Sequence, residues 1–275
     1  MSHVASVQVG RIEVTTVCEG YAPLALADEL PGTEVDWAAE RGRHPWAFVA
    51  EAAWPWHVHA FVLRTPSGVV VVDSGLGPFP PYRPWEAHDE RAWDGLDASE
   101  VDHVVLTHLH SDHAGGVVPQ EAEPRFAAAI HHVHPSDWAF FAERDETEEY
   151  TARHRMQVLQ DRGMLRLNGT DHEIVPGVGL RHSPGHTPGH RSVVVRDGGD
   201  TLLITGDLLH LPIQAALPGR PSSHDVDPQL GAASRRVLLF AAADGGWRVA
   251  AGHFAEPFGT VTSAGWQGTP DPSMG

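Results

Sequence analysis

The sequence predicts an α/β or α+β fold organised as a single domain over residues 1–275. Three observations carry this. Apolar, β-branched runs alternate with longer helical stretches along the chain. No composition break, internal repeat or low-complexity linker divides it. At 275 residues it can bury a full core without staples.

The elements follow in order. HAFVLRTPSGVVVVDSG (59–75) is two apolar runs joined by Thr65-Pro66-Ser67-Gly68, the composition of a hairpin turn. VDHVVLTH (101–108) reads as a buried strand and AAAIHHVHP (127–135) as another. Residues 135–163 are helical in composition, and ERDETEEYTARHR (143–155) alternates in sign like an exposed helix face. RSVVVRD and TLLITGD are strands flanking the turn Gly198-Gly199. DVDPQLGAASRRVLLFAAADGG (225–246) is a helix with Asp227 as N-cap and Pro228 in its first position. WRVAAGHF (247–254) reads as a last strand, and the end of the chain (264–275) as a loose tail.

Composition excludes several function classes. Arginine and lysine total 19 against 36 acidic residues, a net charge of −17, and every basic residue is arginine. Without lysine there is no Schiff-base chemistry and no P-loop. The acidity argues against a nucleic-acid partner. Cys18 stands alone, so an internal disulfide and a thiolate cluster are excluded, and a reducing compartment is suited. No signal peptide and no long apolar span are visible, so the expected location is cytoplasmic, with no membrane partner. Histidine is the outlier, with 20 residues.

LTHLHSDHAGG (106–116) concentrates His108, His110, Asp112 and His113 in six positions. In an extended segment His108 and His110 point to one side and can grip one ion. Asp112 and His113 would diverge in a strand, but in the turn entering a helix they can face a second ion. His186, Asp207 and His253 each lie just past a strand-like run, where turn-rich loops converge. His186 would complete the first site and His253 the second, with the two oxygens of Asp207 bridging both. Imidazole and carboxylate without thiolate suit two divalent ions, Zn²⁺ first, with Mn²⁺ or Fe²⁺ possible. Two such ions roughly 3.5–4 Å apart can hold a nucleophilic hydroxide and polarise a carbonyl or phosphoryl oxygen.

These residues, with Ser183-Pro184-Gly185-His186-Thr187, Gly206-Asp207, Gly252-His253 and the VVVVDSG run ending in Asp73, closely resemble the metallo-β-lactamase fold superfamily. The resemblance covers about residues 50–255, leaving 1–50 as decoration. It implies a four-layer αβ/βα sandwich with two metals along one edge of the facing sheets. It implies that His108, His110 and His186 hold the first metal, that Asp112, His113 and His253 hold the second, and that Asp207 bridges. Asp73 would stand close behind the ligands. A binuclear hydrolase of a small-molecule substrate is the expected activity, with Asp112 and His210 as candidate catalytic residues.

Within that superfamily the chemistry narrows. Asp207, not cysteine or serine, holds the bridging position, unlike true β-lactamases. His110 replaces the glutamate of the diiron oxygen-reducing branch. The complete ligand set departs from the mononuclear sulfur dioxygenases, and the acidity from tRNA-processing members. A glyoxalase II-like thioesterase would need Arg153 and Arg155 to meet a carboxylate. Ester, lactone and phosphotriester hydrolases remain. Acyl-homoserine lactonases of this family tend to carry tyrosine where this chain has His210. That residue, with AGHFAEPFGTV, favours aryl esters or generic lactones over quorum-signal lactones. A non-catalytic or nucleolytic member of the fold is the less favoured alternative.

Other residues have plainer readings. His190 orients a loop through hydrogen bonds. His57 and His59 have ligand-like spacing but no further ligand in view for a third metal, so core or surface is expected, with His59 able to line the pocket. The histidines of IHHVHP (130–135) read as wet. Trp37, Trp46, Trp54 and Trp56 read as core packing, with a pocket wall as the alternative.

Overall fold

The computed structural model describes residues 4–30, 34–77, 87–88, 91–119, 123–144 and 152–268. One mixed sheet holds β1 (Ser6–Val9), β2 (Ile12–Ala25), β3 (Ala53–Thr65), β4 (Gly68–Val72), the short β5 (Ala87–His88), β6 (Val101–Val105), β7 (Ile130–Val133) and β8 (Leu165–Leu167). Its order is β1-β2-β3-β4-β6-β7-β8, with β5 beside β2. Strands β1 to β4 pair antiparallel; β4, β6, β7 and β8 pair parallel. The second sheet holds β9 (His172–Val175), β10 (Val178–His182), β11 (Arg191–Asp197), β12 (Asp200–Ile204), β13 (Arg248–Ala250), β14 (Phe258–Thr262) and β15 (Gly265–Gly268), in unbroken sequence order. All its pairs are antiparallel except β12 with β13. The helices are α1 (Leu26–Glu29), α2 (Trp37–Arg43), α3 (Ser111–Ala114), α4 (Pro135–Ala142), α5 (Ala152–Asp161), α6 (Ile213–Ala216) and α7 (Pro228–Asp244).

The period-2 alternation of strands builds the layers. Phe61 and Leu63 of β3 face Val193, Val195, Leu202 and Ile204 of the second sheet and form the middle core. Ala60 and Val62, between and beside them, face outward to Phe141 of α4 and Met156 and Leu159 of α5. On the far side, Val194, Leu203 and Val249 meet Leu239 and Ala242 of α7. Each fully buried valine, leucine or phenylalanine of this kind contributes about 1.5–3 kcal/mol. Helix, sheet, sheet and helix make the four-layer αβ/βα sandwich that the sequence predicts. As expected, Asp227 caps α7, its carboxylate accepting from Gln229 N and Leu230 N at 3.1 and 3.0 Å.

Four expectations are corrected. Residues 265–268 of the supposed tail are strand β15, because Trp266 is 1% exposed against Phe254. The start of the chain is integral to the first sheet: β2 pairs with β3 from Glu13↔Arg64 to Ala25↔Ala53. His131 and His132 of β7, which lies between β6 and β8, and His134, which stacks on His182, are buried, not wet, and burial pushes all three down to about 4. The helical stretch 135–163 is two helices, α4 and α5, and residues 145–151 of the sign-alternating segment lie outside the described residues. Trp54 and Trp56 are buried, and Trp37 and Trp46 pack half-buried against the cores. No helix among the described residues is long and apolar enough to cross a membrane.

One buried carboxylate ties the layers together at the edge where the candidate ligands lie. Asp137 of α4, 1% exposed, accepts from Gly189 N at 2.6 Å, Thr187 Oγ1 at 3.0 Å and Leu109 N at 3.2 Å. Burial raises its pKa to about 6 while these bonds oppose the rise. It joins the loop after β6 to the loop between β10 and β11. Replacement by alanine would leave three buried donors unsatisfied. Asp137→Ala should therefore lose about 3–5 kcal/mol of stability in urea unfolding, at about 1–3 kcal/mol per donor with partial relaxation. A midpoint within error of wild type would show the clasp to be dispensable.

Candidate metal centre

The candidate ligands gather where strands of both sheets end. Asp73 follows β4, His108 and His110 follow β6, and Asp112 and His113 lie on α3. His186 lies between β10 and β11, Asp207 in a single 3₁₀ turn after β12, and His253 after β13. The seven candidate ligands and Asp73 behind them are all buried, none more than 8% exposed. His110 is extended, with φ −65° and ψ 156°, and α3 begins at the next residue. That switch from strand-like to helical backbone directs Asp112 and His113 to a second donor set, while the His113 ring stays 4.1 Å from that of His108.

The donor atoms sort into two sets that share Asp207. One donor each from His108, His110, His186 and Asp207 lie within 4.8 Å of one another, and so do those of Asp112, His113, Asp207 and His253. In the first set His110 Nδ1 is 2.9 Å from His108 Nε2 and 3.0 Å from His186 Nε2. Asp207 Oδ2 lies 3.2 Å from His186 Nε2 and 3.6 Å from His108 Nε2. In the second set His113 Nε2 is 3.1 Å from both Asp112 Oδ2 and Asp207 Oδ1. His253 Nε2 is 3.1 Å from Asp207 Oδ1 and 3.6 Å from Asp112 Oδ2. Asp207 thus gives one oxygen to each set.

These residues fit divalent cations. Two donors about 2.1 Å from one tetrahedral ion stand about 3.4 Å apart, the spacing found here. His113 Nε2 and Asp207 Oδ1 are buried without a hydrogen-bond partner although they face each other. Burial pushes His108 and His186 well below the ordinary histidine value and His110 down to about 4, so these rings stand neutral, as ligation requires. Burial also pushes Asp112 and Asp207 upward, but the imidazoles around them outweigh it and hold both below the carboxylate range. His113 runs the other way: burial lowers it, and Asp112, Asp207 and Asp73 together raise it well above the usual value. Its proton compensates carboxylate charge that a cation would compensate better.

The surrounding groups aim the donors. Asp73 Oδ2 accepts from His113 Nδ1 at 2.8 Å, and its Oδ1 accepts from Thr107 N at 2.8 Å. Asp73 does so at φ 62°, the one described non-glycine residue in the left-handed region. His253 Nδ1 donates to His57 O at 2.7 Å. His190 Nδ1 donates to Ser183 O at 2.9 Å, and its Nε2 accepts from Asp207 N at 2.9 Å, so it fixes the backbone of Asp207. The glycines closing the HSDHAGG stretch are required by close approach: a Cβ on Gly116 would sit 2.0 Å from Ser74 O, and one on Gly115 would sit 2.3 Å from Leu76 O.

A cleft of about 410 Å³ opens over both sets, walled by Leu24, Trp56, Glu29, His210 and His224. His210 is 4% exposed. Its Nδ1 lies 2.6 Å from Glu29 Oε1 and its Nε2 lies 3.1 Å from Asp207 Oδ2. Burial lowers its pKa, but Glu29 and Asp207 outweigh this and raise it. Glu29, Asp137, His224 and Leu24 escape the sequence reading. LADELPG and PSDWAF carry no motif, and their partners are far along the chain. Arg155 is 3% exposed, with Nε donating to Gly115 O at 3.0 Å, so it is tied into the structure.

A profile of the metallo-beta-lactamase superfamily matches residues 53–253. An N-acyl homoserine lactonase of Bacillus sp is 28% identical over 165 residues, 50% of this chain and 58% of that protein. The chain thus spans little more than half the length of this relative. The probable metallo-hydrolase YybB of Bacillus subtilis is 27% identical over 174 residues, 57% of this chain and 67% of that protein. The solved structure of AidC, a dizinc quorum-quenching lactonase, superposes with a TM-score of 0.83 at 21% identity over 98% of both chains. With the profile covering most of its length and the fold shared end to end, the chain belongs to the metallo-beta-lactamase superfamily.

Proposed function

We propose that the chain is a metal-dependent hydrolase of small, neutral lactones or carboxylic esters, with two divalent ions of the Zn²⁺ type as cofactor. The observation that carries this is the pair of four-donor sets sharing Asp207 at the floor of a cleft with an apolar wall and no arginine among its described lining residues. His108, His110, His186 and Asp207 Oδ2 would hold one ion; Asp112, His113, His253 and Asp207 Oδ1 would hold the other. Bound there, such ions would supply Lewis-acid activation of water and of the substrate oxygen.

The chain's own residues supply the rest. Leu24 and Trp56 offer an apolar face to an acyl or aryl group. The described lining offers no arginine to pair with a substrate carboxylate, while Glu29 is already held by His210. That argues against a glutathione thioester, since Arg155 is engaged elsewhere. Relatives named N-acyl homoserine lactonase support a lactone, and their neutral substrate with its acyl tail suits this cleft. They also return to consideration the quorum-signal class that His210 argues against. Glu29 holds His210 by Nδ1 and leaves Nε2 facing the cleft beside Asp207, poised to donate a hydrogen bond or proton to a departing alkoxide.

Two outcomes are expected. Asp73→Asn keeps a residue tolerant of φ 62° and removes the charge behind His113, so it isolates orientation from backbone strain, which alanine would not. It should weaken metal retention or activity by about 10–100-fold in chelator competition and steady-state assays, with the fold intact. Unchanged metal affinity and activity would remove Asp73 from the site.

The second test is a substrate screen of Zn²⁺-loaded protein against neutral lactones, aryl esters, phosphotriesters and carboxylate-bearing thioesters. Neutral lactones or esters should lead the anionic thioesters by at least roughly tenfold in kcat/KM, about 1.4 kcal/mol, the scale of the charge-assisted hydrogen bond that the described lining does not offer a carboxylate. His210→Ala should then lower kcat by roughly 10–1,000-fold on alkyl esters and lactones, and far less on nitrophenyl esters, which depart unaided. A lead for phosphotriesters or thioesters overturns the substrate class. Equal losses on both kinds of ester leave His210 as a residue that only positions Asp207.

A further inference from the structure

We infer that the chain carries a third metal site, separate from the shared-aspartate centre, in which Cys18, His57 and His59 hold one thiophilic ion of the Zn²⁺ type. Sequence spacing puts His57 and His59 on one side of a strand but supplies no third ligand. The sheet supplies it: Cys18 of β2 is the cross-strand partner of His59, and Tyr21 that of His57. All three candidate ligands are buried, at 6%, 5% and 2% exposure, and one donor atom of each lies within 4.8 Å of the others.

The geometry matches ligation. Cys18 Sγ lies 3.6 Å from His57 Nδ1. A sulfur at about 2.3 Å and a nitrogen at about 2.0 Å from one tetrahedral Zn²⁺ stand about 3.5 Å apart. His59 Nε2 donates to Phe254 O at 2.9 Å, which makes Nδ1 the lone-pair nitrogen of that ring. A backbone carbonyl setting the tautomer in this way is the usual companion of a ligating imidazole. The carbonyl oxygen of Gly20, 3.7 Å from the sulfur, is an oxygen donor for a fourth position. The inward row of β2 and β3 carries Ile12, Val14, Phe61 and Leu63 in the middle core, with Thr16 among them bonded to the backbone of Ala5. Cys18, His57 and His59 continue that row as three adjacent buried groups able to ligate.

Such an ion would stiffen the strand behind the centre. The carbonyl of His57 accepts from His253 Nδ1, and His59 N donates to Gly252 O at 3.0 Å. Fixing His57 and His59 fixes the backbone that orients His253.

Cobalt tests this on the full chain. The protein is stripped with chelator and reloaded with excess Co²⁺. Every donor of the shared-aspartate centre is nitrogen or oxygen, and the chain has 1 cysteine, so a near-ultraviolet sulfur-to-cobalt charge-transfer band can arise only from Cys18. The wild-type protein should show that band. Cys18→Ser should lose it together with one cobalt ion per chain and keep the cobalt of the other centre. A wild-type protein without the band overturns the site, whatever its cobalt content, and leaves a thiol–imidazole hydrogen bond. A band with a depleted shared-aspartate centre would instead uphold this site and count against the other.

Discussion

Asp112 and Asp207 are carboxylates buried among imidazole nitrogens, with Asp73 behind the same rings. Apolar packing cannot compensate groups of that kind, and surface ion pairing is closed to them. His113, among Asp112, Asp207 and Asp73, and His210, between Asp207 and Glu29, are the two rings whose pKa these carboxylates raise. Charge balance at this edge is therefore the constraint from which the rest follows. It requires the strand ends of both sheets to meet, the ligand rings to be neutral where an ion is to be held, and loops stiff enough to keep like charges from separating. The sandwich meets the first requirement through its middle core, which sets the two sheets face to face.

Stiffness comes from a few costly features. Asp73 is held in the left-handed region, at a cost of order 1–3 kcal/mol, by two backbone ties: its own N–H to Val105 O, and its carboxylate to Thr107 N. His190 spends both ring nitrogens on backbone, one on Ser183 and one on Asp207. Burial lowers its pKa to about 4, so it stays neutral and cannot compete for the role of a charged partner. Gly115 and Gly116 let the chain leaving α3 lie directly on the chain leaving β4. Each device restrains a ligand without touching the ions, as a preorganised centre requires.

How much of this is legible in sequence depends on how far apart the partners are. The hairpin at 65–68, the cap at Asp227 and the ligand pattern of 108–113 are local, and their geometry follows from neighbours a few residues away. His186, Asp207 and His253 are far apart in sequence, yet each is flagged by a strand-like run that ends in a glycine-rich turn. Glu29 and His210 are separated by 181 positions, and Asp137 reaches Gly189 across 52. Nothing near either acid marks it as more than a helical residue. The histidines at 131–134 mislead for a related reason: polarity suggests exposure, but β7 has neighbours on both sides, and exposure passes instead to Ile130, at 36%. Trp266 misleads in a glycine- and proline-rich setting that reads as loose, because its burial is decided by Phe254.

The segment before residue 53 lies outside the span that the superfamily profile matches, yet it reaches the site. Leu24 and Glu29 form part of the cleft, and Glu29 sets which nitrogen of His210 faces it. Cys18, on the same strand, faces His59. The seven candidate ligands all lie within the matched span, as do Trp56, His210 and His224 of the cleft wall, whereas Leu24 and Glu29 of that wall lie before it. β2 and α1 thus supply part of one wall to a centre built from the matched span. That placement explains why ligand motifs identify the fold while leaving the substrate open: the motifs describe the donor residues, and part of the wall beside them comes from a strand no motif describes.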